Sequence, residues 1–180
     1  KRSALTALHD MFREHGAGAD KRYLVLVKGR WMNPLQSVKL PLLKYLTESG
    51  ERRVSVDAQG KPSHTVFRLL ARWPEMSLLE AQLKTGRTHQ IRVHLAHLGF
   101  PILGDEKYGD FALNKRLRPA GLRRMGLHAW RMAFKHPLSG EPLSCCAPLP
   151  ESLASYILAV DQQNAREFTA DNFSAVWEKQ

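Results

Sequence analysis

From Lys84 to His94 the chain reads Lys-Thr-Gly-Arg-Thr-His-Gln-Ile-Arg-Val-His, so two arginines, two histidines and a turn glycine fall within one short stretch. Guanidinium groups are suited to bidentate pairing with phosphate or carboxylate, which points to chemistry on a negatively charged partner. Arg87 and Arg92 bracket an expected helix start, where backbone N–H groups and the helix field favour an anion. Solvated or structural arginines are the ordinary alternative for any one of them. The glycine and the capping threonine beside both shift the reading toward function. His89, His94 and His97 also invite a metal reading, since positions three apart share a helix face. No carboxylate or cysteine stands at a recognised ligand spacing, so satisfied or exposed histidines are preferred and no metal is expected.

Such side chains need a strand, a loop and a helix to hold them. Leu79, Ala81 and Leu83 alternate with Glu80 and Gln82, the period of a half-buried strand. Thr88 is then expected to cap a helix carrying Ile91, Leu95 and Leu98, with Gly99 and Pro101 stopping it. Thr85-Gly86-Arg87 becomes a strand-to-helix loop. Upstream, Tyr23 to Val27 reads as a short buried strand on which Tyr23, taken alone, is an ordinary core aromatic. The segment Asp57 to Pro62 reads as a turn joining Val54–Val56 to Thr65–Phe67 in a hairpin. Ser3 is placed as the cap of a first helix bearing Leu5, Leu8, Met11 and Phe12, ended by Gly16 and Gly18. His128, Trp130, Met132 and Phe134 alternate as a strand, followed by a turn at His136–Gly140 and a strand near Leu143–Ala147. Residues 151–180 are expected to be helical with a polar break at Thr169–Asn172. The pattern predicts an α+β fold, a mixed, mainly antiparallel sheet flanked by helices, in one domain over residues 1–180.

Lys and Arg outnumber Asp and Glu by 27 to 17, a net charge of +10, which suits a polyanion without separating RNA from DNA. The basic run from Asn114 to Arg124, broken by Pro119 and Gly121, is expected to form a surface loop or short helical turns. There Arg116, Arg118, Arg123 and Arg124 are candidates for phosphate contact, and a solvated charge run is an equal alternative. Asp105 and Asp110 lie among glycines and are assigned turn-capping or structural roles rather than catalytic ones. Two adjacent cysteines, Cys145 and Cys146, are poorly placed to cross-link distant parts of the chain. With no long apolar run, a soluble cytoplasmic protein with no membrane partner is the expectation.

Three segments, Lys21-Arg-Tyr-Leu-Val-Leu-Val-Lys-Gly29, Thr85-Gly-Arg-Thr-His-Gln-Ile-Arg92 and Pro101-Ile-Leu-Gly-Asp-Glu-Lys-Tyr-Gly109, together resemble the RluA-type RNA pseudouridine synthases. Ser49–Arg53, Gly60–Ser63 and the basic insertion after Asp110 look most like members acting on large-subunit (23S) ribosomal RNA. The resemblance implies cofactor-free isomerisation of uridine to pseudouridine at several RNA sites, through a flipped nucleotide and an aspartate nucleophile. By motif position, Tyr23 would pack on the target base and help remove its carbon-bound proton, and Arg92 would hold the aspartate ionised. By position alone, Arg87 is the candidate for RNA phosphate contact or for backing the site and His89 for supporting the same loop, and both are counted with Thr88 and the four downstream arginines among the RNA-binding residues. The family's aspartate segment, of the form His-Arg-Leu-Asp followed by Thr-Ser-Gly, does not occur in the 180 residues. In relatives it lies shortly before a segment like Lys1–Leu5. The expectation is therefore the C-terminal part of a catalytic domain, incomplete on its N-terminal side, with apolar surface left unmatched and no activity by itself. A non-catalytic RNA-binding relative is the alternative.

Overall fold

The computed structural model describes residues 2–13, 19–171 and 173–174. It contains α1 (Arg2–Arg13), β1 (Ala19–Lys28), β2 (Leu35–Lys39), β3 (Leu42–Leu46), β4 (Arg52–Val56), β5 (His64–Arg72) and β6 (Met76–Leu83). These are followed by α2 (Gln90–His97), α3 (Phe111–Leu117), β7 (Leu127–Lys135), β8 (Pro142–Cys146), α4 (Glu151–Gln163) and β9 (Phe168–Thr169). One antiparallel sheet runs in the order β2-β5-β6-β1-β7-β8, with β9 added to the end of β5, and β3 and β4 form a small sheet of their own. The α+β expectation therefore holds. No helix among the described residues is long and apolar enough to cross a membrane.

Each face of the large sheet carries its own core. Val25, Val27, Phe67, Leu69 and Leu79 meet Ile91 and Leu95 of α2 on one side. On the other, Leu24, Leu26, Leu70 and Leu78 meet Leu153, Tyr156 and Ile157 of α4. This double cover corrects the reading of β6 as half-buried. Its alternating Glu80 is itself buried, and its carboxylate accepts from Arg22 Nη1 at 2.8 Å. A central strand roofed on both sides leaves no solvent face, so its polar residue must carry a partner inward.

The expected β4–β5 hairpin is also corrected. β4 pairs with β3, Leu42 facing Val56 and Leu46 facing Arg52, while β5 has β2 on one edge and β6 on the other. The turn at Asp57–Gly60 forms, yet it leads back past Leu42, which exchanges two 2.9 Å backbone bonds with Lys61. Leu42 and Val54 then pack on Val93 of α2, so the small sheet leans against the helix that carries the arginines.

At the N-terminus, α1 already includes Ser3, so Ser3 is not its cap; Gly16 and Gly18 lie outside the described residues. Toward the C-terminus, the expected helix with a polar break at Thr169–Asn172 ends earlier, α4 stopping at Gln163, and the short strand β9 forms at the start of that break. Its Phe168 and Thr169 pair with Arg72 and Ala71, and the neighbouring Glu167 accepts from Arg30 Nε at 2.9 Å. An open edge at the end of β5 offered backbone bonds that outweigh helix continuation there. Strands β7 and β8 and the turn between them form as expected, with Cys145 and Cys146 exposed and unpaired on β8.

Candidate active site

The loop after β6 is shaped by Gln90, a residue the sequence did not single out. Gln90 is buried, and its carbonyl oxygen accepts from Arg87 N at 3.0 Å and Thr85 Oγ1 at 2.8 Å. Its amide donates to His64 O at 3.0 Å and Thr65 Oγ1 at 2.9 Å. The whole loop is thus stitched to the start of β5. Thr88, expected as the helix cap, is exposed and caps nothing. The position before the helix is His89, in the left-handed region at φ 53°, ψ 19°. The stop at Gly99 forms as predicted: Gly99 N donates to Ala96 O and Phe100 N to Leu95 O, the double closure of a Schellman motif.

Arg92 extends from α2 toward the loop that follows the helix and grips Asp105 with both prongs, Nε to Oδ2 at 2.8 Å and Nη2 to Oδ1 at 2.7 Å. Oδ1 also receives the N–H of Lys107 at 2.8 Å and of Tyr108 at 3.1 Å. The structural role assigned to Asp105 is therefore right, but its partner is the candidate catalytic arginine, separated by 13 residues. Burial pushes the Asp105 carboxyl up, and the Arg92 fork with the two backbone donors outweighs it, holding the group below the usual carboxylate range. The same bond raises Arg92 against the cost of its burial. The guanidinium carbon also stands 4.9 Å over the Tyr108 ring. Nη1 makes no hydrogen bond to a described residue. Asp110 caps α3 through Leu113 N at 2.9 Å and pairs with Lys28 at 2.8 Å, again as a structural carboxylate.

Tyr23 sits where β1 shifts register against β7, at the Arg22/Tyr23 irregularity, and faces Ala81 on β6 and Ala129 on β7. A bulge re-aims a side chain and two alanines leave space beside it. Tyr23 packs with the core cluster that includes Ile91 and Leu95, so it shares a sheet face with α2. Burial raises its phenol pKa, which keeps the hydroxyl protonated. No hydrogen bond or ring contact joins Tyr23 to Arg92.

The three histidines go to separate places. His97 is exposed, and His89 Nδ1 lies 3.0 Å from the Tyr108 hydroxyl. His94 is fully buried, with Nε2 2.8 Å from Ser63 Oγ and Nδ1 3.0 Å from Thr65 Oγ1. Ser63 donates its proton to Leu40 O at 2.6 Å, so it accepts from His94 Nε2–H, and Thr65 in turn donates to Nδ1. That ring is neutral, its pKa lowered by burial to about 4. Among the described residues no cluster of three His, Cys, Asp or Glu side chains could hold a metal ion.

The basic segment divides. Arg118, Arg123 and Arg124 line a groove of about 510 Å³ with Lys115 and Asn114, directly beside Gly104. Arg116 instead borders a larger cavity of about 770 Å³ against Trp73 and Tyr156. Arg87, half-buried, reaches Pro62 O through Nε at 3.2 Å.

Residues 1–97 match the family model described as RNA pseudouridylate synthase. The ribosomal large subunit pseudouridine synthase C of Haemophilus ducreyi is 46% identical over 157 residues, covering 87% of this chain and 48% of the relative. The protein of that name from Escherichia coli K12 is 46% identical over 155 residues, covering 85% and 48%. The chain thus spans about half the length of the curated relatives it matches. Among solved structures, human RNA pseudouridylate synthase domain containing 1 superposes with a TM-score of 0.75 at 25% identity, covering 99% of this chain and 71% of that one.

Proposed function

Because the chain belongs to the RNA pseudouridylate synthase family, we propose that it forms the C-terminal part of a catalytic domain that isomerises uridine to pseudouridine in large-subunit ribosomal RNA. The observation that carries this reading is the extent of identity, 46% over 87% of the chain, to synthases named for that RNA. The site geometry supports it. In this reading the target nucleotide leaves its stack and enters beside Tyr23, whose ring packs on the base. An aspartate from outside these 180 residues attacks the sugar carbon C1′ and displaces the uracil nitrogen; the base turns, its carbon C5 attacks C1′, and the aspartate leaves as the carbon–carbon bond forms. The Tyr23 oxygen accepts the proton from C5 as its hydroxyl passes its own proton to solvent, and the freed ring nitrogen takes one up, so that the product is an isomer of the substrate. Arg92 keeps the aspartate ionised through the donors that Asp105 does not occupy, since a nearby cation favours the nucleophilic carboxylate. Asp105 fixes the direction in which that guanidinium points. No cofactor takes part, and Arg87, Thr88 and His89 contact the RNA. A cytoplasmic setting belongs to the same proposal.

The second reading, an RNA-binding relative without catalysis, is favoured by one feature: the charge of Arg92 is already paired within the chain. The full-length protein incubated with large-subunit RNA carrying tritium on the uracil carbon C5 separates the two. Tritium release, abolished by Tyr23→Phe and by Arg92→Ala, is the expected result. RNA retained on the protein with no tritium released would establish the non-catalytic reading instead.

A further inference from the structure

Tyr108 touches three parts of the site at once. Its hydroxyl oxygen accepts the Val54 N–H of β4 at 3.0 Å and lies 3.0 Å from His89 Nδ1. Its ring meets that of His89 edge-on, at 5.5 Å and 64°, and its face lies under Arg92. A phenol has a single proton to donate. With the oxygen already accepting from Val54, the arrangement that uses every group has Tyr108 donating to Nδ1. The ring proton of His89 then sits on Nε2. No described residue takes that Nε2–H.

Two further observations set His89 apart. It is the single non-glycine residue with positive φ among the described residues, and no side-chain cap bond accounts for that backbone. A conformation of this kind costs on the order of 1–3 kcal/mol and collects where a side chain must be aimed. Burial, and after it the cations of Arg92 and Lys107, lower the imidazole pKa, so the ring is neutral at ordinary pH.

We propose that Tyr108 is a positioning residue that holds His89 as the Nε2–H tautomer, presenting a neutral donor to an acceptor oxygen of the RNA while its ring face seats Arg92. This rests on the RNA reading above and adds to it the kind of contact that is made. A neutral donor releases no condensed counterion, so its loss weakens binding at every salt concentration equally. An arginine contact to phosphate changes the salt slope.

Long-range proton–nitrogen correlation on the full-length protein with nitrogen-15 histidine shows which ring nitrogen carries the proton. The expected result is protonation at Nε2 for His89 and a mixture of tautomers in Tyr108→Phe. His94, locked by Ser63 and Thr65, stays unchanged and reports that the variant is folded. His89→Ala is expected to lower affinity for uridine-containing RNA about tenfold, the equivalent of one well-made hydrogen bond, with an unaltered slope of log K against log salt. Protonation at Nδ1, an identical tautomer in Tyr108→Phe, or wild-type affinity in His89→Ala would overturn the proposal. Tritium release by the wild type, measured alongside, separates the two ideas. Turnover with the wrong tautomer overturns this inference alone, and the right tautomer without turnover overturns the catalytic reading while the positioning by Tyr108 stands.

Discussion

Arg92 and Asp105 form a pair whose carboxylate is almost wholly buried, with the guanidinium only slightly exposed. Removing one member leaves the other without its counter-charge, which is costlier than losing the bond itself. Arg92→Ala is expected to destabilise the protein by about 3 kcal/mol, read as a lowered midpoint in urea denaturation. Arg92→Lys keeps the charge but loses the fork and lies between the two. His94 makes a separate statement about pH. Its folded pKa, about 4, lies below the ordinary 6.5, so between those values the unfolded chain binds a proton that the folded one refuses. Stability is full above pH 6.5 and declines as the pH falls toward 4, by about 3 kcal/mol for this group. Denaturation curves at pH 7 and 4.5 should show that decline, and His94→Gln should flatten it.

At the scale of elements, the site depends on loops held tightly to sheet and helix. The loop carrying Asp105 closes on itself at Gly109, where an added Cβ would lie 2.2 Å from the Asp105 carbonyl oxygen. That carbonyl also accepts from Asn114 Nδ2 at 2.9 Å, so it cannot retreat without breaking its bond to α3. Gly109→Ala should cost about 1–3 kcal/mol by forced displacement. It should also increase amide exchange at Lys107 and Tyr108, whose N–H groups are bonded to Asp105. Unchanged exchange at those two amides would show that the loop accommodates the methyl group. The β3–β4 sheet is coupled to the same loop through Val54 and Tyr108, so an element that pairs with nothing in the main sheet still bears on the site.

For the whole molecule the relevant quantity is the field of a chain with a net charge of +10. The four downstream arginines do not line one groove, since Arg116 borders a different cavity from the other three. With the full-length protein, replacing Arg118, Arg123 and Arg124 together by Ala should reduce the slope of log K against log salt for RNA by roughly 2, at about 0.7 for each single-strand phosphate that is no longer neutralised. Arg116→Ala should leave that slope at its wild-type value. Equal effects would mean that the chain's general charge, rather than the groove, binds RNA.

The sequence by itself determined what local chemistry decides. The strand-to-helix order around Thr85–Arg87, the stop at Gly99, the β7 strand and its turn, and the capping character of Asp105 and Asp110 all depend on periodicities and turn residues acting over a few positions. The motif strip also disclosed the family. Tertiary structure alone decided which groups meet. Edge occupancy sent β4 to β3 instead of β5, and two covered faces buried Glu80. Long-range packing put Tyr108 against Val54, 54 residues away, and the local rule that made Thr88 a cap lost to a buried Gln90 bonded to β5. Periodicity shows that a residue faces inward. What it finds there depends on which edges and faces the rest of the chain has already filled.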